Sequence, residues 1–458
     1  MPSPEINPAS FRDPAGFVFK EDSEIYRAIA PSYNDDFNLF IQSGLYDYLK
    51  QKRLITSHID SKNILGTEFS NYRFIKPEQI PFISYPYEWC FSQLKSAALL
   101  TLKIQKACLK YGMTLKDASA YNIQFIGNKP IFIDTLSFEK YIEANPWFAY
   151  KQFCQHFLAP LALMAYRSVE LLKLHLNYID GIPIELASSL LPRRSILNSG
   201  IASHIILHSK FQKKHSKELS AKTDKAKVSK SSLMAMLQHI EDCIVSLNSK
   251  SEKSNWTEYV INNTYSQEAV NIKEQTIIKW LEQSKAKNIY DLGCNTGSYS
   301  LLASKYCNHV LSIDSDHNCI EKFYLSTKEK NNILPLVINL STPSPSSGWA
   351  NKEHLTINQR GKADVLLALA LIHHFRITNN VPFYRIADYL ADLGDRLIIE
   401  FIPKNDPMVQ QMLSSRKDIF SDYKLEEFLN AFEKLFYIDE KKLLENNGRI
   451  LFLMTKKT

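Results

Sequence analysis

Asp291 and two glycines, Gly293 and Gly297, form the pattern Asp-x-Gly-x-x-x-Gly at the end of a short apolar run, Asn288-Ile-Tyr-Asp-Leu292. Glycine tolerates positive φ and lets a ligand lie against bare backbone. A helix starting near Gly297 would point its free amide N–H groups into the turn. That is the chemistry of a small-molecule site. Asp314 closes a second apolar run, His309-Val-Leu-Ser-Ile-Asp314, at the distance where a strand-end carboxylate can accept the hydroxyls of a ribose. A dinucleotide site wants a third glycine so that a pyrophosphate can reach the backbone. Here Asn295 takes the middle position and Ser298 the last. Asp291 would repel a pyrophosphate but suits a ligand carrying an ammonium and a sulfonium. Asp291, Gly293, Asn295, Gly297 and Asp314 therefore predict S-adenosylmethionine (SAM) rather than NAD. Asn339, at the end of the run Leu334–Asn339, is the expected acceptor for the adenine amino group.

A second constellation lies far upstream. Asp117 and Asn122 stand five apart, and the turn Gly127-Asn128 returns the chain to Asp134 beside them. This is the spacing of a phosphotransferase loop, in which one Asp positions a hydroxyl nucleophile while an Asn and a second Asp hold magnesium against phosphates. Asp117 is then the candidate catalytic residue, and Asn122 and Asp134 the candidate Mg2+ ligands for ATP. The flanking residues depart from the kinase pattern: Leu115-Lys116 precedes Asp117, and Thr135-Leu136 follows Asp134. The first hairpin has no glycine-rich turn, and Arg27 would stand where a kinase places its phosphate-binding lysine. The alternative is that Asp117 caps a turn and the module is a scaffold.

His373 and His374 end the apolar run that begins at Ala363. Ligands of open α/β sheets sit beyond the carboxyl ends of the strands. Strand alternation sends neighbouring side chains to opposite faces, so at most one of the pair should face a transferred methyl. A neutral imidazole there could act as general base. Otherwise both shape the pocket as structural residues.

The elements that would carry these residues can be read from periodicity. Gly16–Phe19 and Glu24–Ile29 read as a hairpin, Asp35–Lys50 as one helix weakened by Gly44, and Glu88–Tyr111 as a buried helix ended by Gly112. Trp147–His208 is helical in pattern, and Leu233–Leu247 is an amphipathic helix. From Asn271 onward helices alternate with apolar runs. The run Ala363–His374 has the near-continuous hydrophobicity of a strand buried on both faces. Two last strands close around Asn447-Gly448. Trp256, Tyr259 and Tyr265 would either fold over the ligand or pack between domains.

The segments DLGCNTGSYS, ALALIHHF and LIIEFIPKNDPMV resemble the class I methyltransferase domain of the family named after the rhizobial nodulation protein NoeA. The resemblance continues through PYEWCFSQLKSAALLTL and GMTLKDASAYNIQF in the N-terminal half. It implies a SAM-dependent methyltransferase of undefined substrate. The expected fold is α/β. A C-terminal Rossmann-like, seven-stranded class I methyltransferase domain over 256–458 is preceded by an α+β kinase-like domain over 1–208. A Lys/Ser-rich linker with an amphipathic helix fills 209–255. Two other classes stay open: an Mg2+/ATP-dependent phosphotransferase in the N-terminal half, and a protein that binds SAM without turnover.

Composition narrows the partners. The 458 residues are 45% hydrophobic and 12% aromatic, a globular composition long enough for two cores. The net charge of +7 is concentrated between Lys210 and Lys230, where eight lysines face two acidic residues. One aromatic, Phe211, stands among them, too few to interleave as nucleic-acid binding would require, so the segment reads as a linker. Seven scattered cysteines form no C-x-x-C pair, which argues against a disulfide framework or a zinc site and fits a reduced cytoplasm. No secretory leader or membrane-length apolar run is present. The expected partner is a small-molecule or protein methyl acceptor, whose identity the sequence does not name.

Overall fold

β1 (Glu5–Ile6), β2 (Gly16–Glu21), β3 (Glu24–Ile29), β4 (His58–Ser61) and β5 (Arg73–Pro77) pair antiparallel in the order β1-β2-β3-β5-β4. In this computed structural model the described residues are 5–22, 24–210, 227–249, 266–327, 330–414, 416–444 and 448–457. Most of the Lys210–Lys230 segment, the aromatics Trp256, Tyr259 and Tyr265, and Asn447 lie outside them. The chain forms two compact units. The first comprises residues 1–125, 129–251 and 346–354; the second comprises 126–128, 252–345 and 355–458.

The first unit starts with the expected hairpin. Period-two alternation puts Phe19 and Ala28 on the inner face of β2 and β3, where Phe19 stacks on Tyr26 at 5.4 Å and meets Phe74 edge-on. The single helix expected over Asp35–Lys50 is two, Asn34–Gln42 and Leu45–Gln51. Gly44 takes φ 80° between them, a left-handed conformation that ends one helix and redirects the chain into the next. The long core helix runs Phe91–Lys110, starting three residues later than its apolar pattern suggests. Pro86–Glu88 forms a separate turn whose Glu88 carboxylate accepts from the Tyr85 amide. Gln93 accepts from the Cys90 amide and fixes the true start. Gly112, at φ 75°, follows its end.

After this helix come two ribbons. β6 (Met113–Leu115) pairs with β9 (Phe138–Lys140), and β7 (Ile123–Ile126) pairs with β8 (Lys129–Phe132). Residues 147–208 then form short helical turns interrupted at Gly181, which has φ 91°. The amphipathic helix, Lys230–Ser246, is capped by the Ser229 hydroxyl and buries Leu233, Leu237, Ile240 and Ile244. It belongs to the first unit, where Lys106 of the core helix pairs with its Glu241.

The second unit is built on one seven-stranded sheet. Its strands are β10 (Asn288–Leu292), β11 (His309–Asp314), β12 (Ile333–Val337), β13 (Ala363–Ala368), β14 (Gly394–Phe401), β15 (Phe436–Leu443) and β16 (Ile450–Lys456), in the order β12-β11-β10-β13-β14-β16-β15. The first five are parallel, and β16 enters antiparallel between β14 and β15. β10 and β13 are buried almost throughout, as central parallel strands require. Chain order reverses across β10: β11 pairs on one side and β13 on the other. The connections after these strands diverge there and leave a crevice beyond their carboxyl ends. Among the described residues, no helix is long and apolar enough to cross a membrane.

Candidate functional site

The crevice beyond β10 is a cavity of about 520 Å³. Asp291, Gly293, Asn295, Asp314, Asn339 and His374 all line it. The turn between β10 and the helix Ser298–Ala303 depends on its glycines. Gly293 has φ 75° and Gly297 φ 84°, and a Cβ on Gly297 would overlap the Phe323 ring. Asn295 also takes a left-handed φ of 51°, which asparagine accommodates better than most side chains. The third glycine of a dinucleotide loop is replaced by Ser298, and the Ser300 hydroxyl in the following helix donates to Asp291 at 2.6 Å.

The two aspartates play different parts. Asp314 accepts the Asn295 amide at 2.8 Å on Oδ2 and the Asp316 amide at 2.8 Å on Oδ1, which fixes the carboxylate at the strand end and ties the β10 turn to β11. A carboxylate has about four acceptor sites, so it can take a ligand hydroxyl beside these amides. Burial raises its pKa, against the pull of these amides. Asp291 is 2% exposed, and burial pushes it up to about 6 despite the Ser300 hydroxyl. A cationic ligand beside it would restore its charge. Asn339 lies two residues past the end of β12, and its side-chain oxygen accepts the Ser341 amide at 2.9 Å. One lone pair on that oxygen remains for an amino group.

His373 and His374 are not on a strand. β13 stops at Ala368, Ala370 takes φ 50°, and both histidines fall on the helical turn that follows, with ring centroids 4.2 Å apart. His374 lines the cavity, whereas His373 is only 1% exposed and does not. One of the pair lines the cavity, and helical rotation rather than strand alternation separates them. Burial pulls His374 down to about 4 and His373 well below the usual histidine range. Cys294 lies in the turn with its thiol pushed well up by burial, which suits a small packing side chain better than a nucleophile.

Sequence reasoning missed the far wall. Lys273, on the helix Gln267–Ser284, donates to Glu400 of β14 at 2.8 Å, and the pair is buried. Glu400 also accepts the Ala370 amide at 3.0 Å, holding the start of the histidine turn. Lys273 Nζ sits 4.8 Å from the centroid of the Tyr299 ring. The available signal was Glu400, a lone carboxylate inside the apolar run LIIEF. The charged lining residues are thus one lysine, itself paired, against Glu274, Asp291 and Asp314. This excess of carboxylate disfavours a diphosphate and favours a cation.

In the first unit, Asp117, Asn122 and Asp134 line one cavity of about 410 Å³. Arg27 of β3 pairs with Asp134, which also accepts from the Ser137 hydroxyl. Asn122 donates to that same hydroxyl at 3.2 Å. Asp117 accepts the Ser119 amide at 2.8 Å, an Asx turn. Among the described residues no group of three or more His, Cys, Asp or Glu side chains could hold a metal ion.

No family model matches the chain. The nodulation protein NoeA of Rhizobium meliloti (strain 1021) is 34% identical over 466 residues, covering 98% of this chain and 96% of its own. Among solved structures, the N-methyltransferase NodS of Bradyrhizobium japonicum WM9 in complex with S-adenosyl-L-homocysteine is 10% identical over 44% of this chain and 98% of its own, with a TM-score of 0.31. Magnesium protoporphyrin IX methyltransferase from Synechocystis PCC 6803 with bound SAH is 16% identical over 45% and 90%, with a TM-score of 0.31. The bifunctional kinase-methyltransferase WbdD is 19% identical over 43% and 41%, with a TM-score of 0.30.

Proposed function

The chain belongs to the family of the nodulation protein NoeA, and from that premise we propose that its second unit is a SAM-dependent methyltransferase. The observation that carries the reading is Asp314. A strand-end carboxylate at the switch point of a parallel sheet is fixed by two amides, one from the loop that bears Gly293 and Gly297. The acidic lining of the cavity supports a cationic ligand without a pyrophosphate over a dinucleotide.

SAM supplies a methyl already activated by its sulfonium, so the protein has mainly to bind, orient and exclude water. Asp314 would take the ribose hydroxyls, Asn339 the adenine amino group, and Asp291 would face the cationic tail. Gly293 and Gly297 keep side chains out of the turn. Lys273, Glu400 and Ala370 brace the wall that carries His374. On the acceptor side, His374, Phe375, Thr378 and Asn379 line the cavity. Burial depresses His374 to about 4, so the neutral imidazole suits a hydrogen-bond acceptor for an alcohol or amine better than a general base. The acceptor is a small molecule or a protein side chain. Calorimetry of the full chain with SAM, S-adenosylhomocysteine and NAD tests the reading: the first two should bind and NAD should not.

A further inference from the structure

A hydrogen-bonded chain of four side chains crosses the first unit, and none of them lines the cavity of Asp117 and Asp134. Ser199 Oγ lies 3.1 Å from His239 Nε2, His239 Nδ1 lies 3.0 Å from His204 Nε2, and His204 Nδ1 lies 2.8 Å from the Tyr150 hydroxyl. A neutral imidazole donates from one nitrogen and accepts at the other. Donation can therefore run one way along the chain: from the Ser199 hydroxyl to His239 Nε2, from His239 Nδ1–H to His204, and from His204 Nδ1–H to Tyr150. That is the order of atoms in a serine nucleophile, its general base and the group that fixes the base's tautomer.

Packing builds this order. Ser199 opens the helical turn Ser199–Ile201, which widens into the π turn Ala202–Leu207 that carries His204. π turns inside helices recur at functional sites. His239 and Cys243 stand four apart on the helix Lys230–Ser246 and share a face. A Cβ on Gly200 would lie 2.3 Å from that of Cys243, so only glycine lets the two helices come close enough to bring Ser199 to His239. Asn198 Oδ1 accepts the Gly200 and Ile201 amides at 3.1 and 3.2 Å and the Cys243 thiol at 3.2 Å, which locks its amide group. Its Nδ2 donates to the Ser246 hydroxyl at 3.1 Å and is the side-chain amide next to the serine that can serve a developing oxyanion. The inner end of the chain is buried: burial pulls His204 down to about 4, so it stays a neutral partner for His239. Ser199, at the outer end, is exposed. Leu197, 86% exposed, and Val245, also exposed, are each next in sequence to a partner of the Asn198–Ser246 bond. They offer an apolar acyl chain a surface beside the nucleophile.

We propose that Ser199 and His239 are the catalytic residues of an esterase site in the first unit, with His204 as a positioning residue and an ester of an apolar acyl group as substrate. The Ser199 oxygen bonds to the acyl carbon as His239 Nε2 takes its proton; the bond to the leaving alcohol breaks, and the alcohol receives that proton. Water, deprotonated by His239 in turn, displaces Ser199 and releases the carboxylic acid. A neutral imidazole stabilises the charged base less than a carboxylate would, so labelling of the serine is a more sensitive readout than turnover. The site shares no residue with the SAM cavity and does not depend on that reading.

Treating the full chain with a fluorophosphonate, which phosphonylates activated serines, and mapping the adduct by peptide mass spectrometry tests the proposal. Ser199 should be labelled, and His239→Gln should slow labelling by about a hundredfold or more. His204→Phe should slow it too, whereas His204→Gln, whose amide oxygen can again accept from His239 Nδ1, should restore part of the rate; a histidine that served packing alone would not be rescued in this way. Ser199 is exposed, so Ser199→Ala should fold as the unaltered chain does and keeps the test open if a histidine variant does not. The unaltered chain should cleave p-nitrophenyl octanoate with a higher kcat/KM than p-nitrophenyl acetate, and Ser199→Ala should abolish that cleavage. No adduct on Ser199 overturns the proposal. So does labelling undiminished in His239→Gln, hydrolysis unchanged in Ser199→Ala, or a preference for the acetate.

Discussion

Lys273 and Glu400 form an ion pair 2.8 Å long with only 3% and 0% of their side chains exposed, and Glu400 holds the Ala370 amide with the same oxygen. Removing one partner of a buried pair leaves an uncompensated charge, which costs about 3 to 5 kcal/mol. Glu400→Ala should therefore destabilise the second unit by about that much in urea unfolding, and Lys273→Met combined with Glu400→Leu should recover part of the loss. If the single substitution costs less than about 1 kcal/mol, the pair does not brace the site.

Gly297 should tolerate no side chain. Its φ of 84° and the Phe323 ring in the path of a Cβ give two separate penalties. Gly297→Ala is expected to lower stability by more than about 1 kcal/mol and to abolish SAM binding, with Phe323→Leu relieving the overlap but not the backbone strain. Unchanged SAM affinity in Gly297→Ala would contradict the reading of the turn.

Low pH should weaken the fold through its buried histidines. His175, His204 and His374 are each pulled down to about 4 by burial, from an ordinary value of 6.5. A histidine depressed in the folded state binds protons more readily when unfolded, so its stabilising contribution is whole above pH 6.5 and is lost as pH falls from 6.5 toward 4. Tm should decline across that interval and level above pH 7. A Tm that held steady from pH 7 to 5 would show that these side chains are not buried neutral.

His374 and His373 should respond differently to substitution. His374→Asn should reduce turnover at saturating SAM with little change in SAM affinity, and His373→Asn should act through stability, since its side chain does not reach the cavity. Because His374 is depressed to about 4, methyl transfer by a His374-dependent route should show no inflection near pH 6.5. A rate step there that vanished in His374→Asn would assign that residue an ordinary pKa and a different environment.

Much of this site could be read from local sequence because its signals are local. Gly293, Gly297 and Asp314 announce themselves by residue type and spacing, and each lines the cavity or shapes its turn. Asp117, Asn122 and Asp134 also meet, since one short hairpin returns the chain across itself. What stayed hidden depends on distant partners. Lys273 and Glu400 are 127 residues apart, and nothing in a helix face or a strand says that two charges will be buried together. The division of the helix at Gly44 was a question of degree: a glycine weakens a helix or ends it, and the left-handed φ decided which. The histidine turn was misplaced because an apolar run gives no mark of where a strand stops, whereas Ala370 at φ 50° does.

The central claim is that the carboxylate fixed at the end of β11 holds the ribose of SAM. It is tested most directly by titrating SAM into the full chain and into Asp314→Ala, with NAD as the competing ligand. Loss of a charge-assisted acceptor worth about 1.5 to 3 kcal/mol predicts that SAM binds the unaltered chain and binds the variant about 10- to 100-fold more weakly, with NAD binding neither. SAM affinity unchanged by Asp314→Ala, or NAD binding more tightly than SAM, would contradict it.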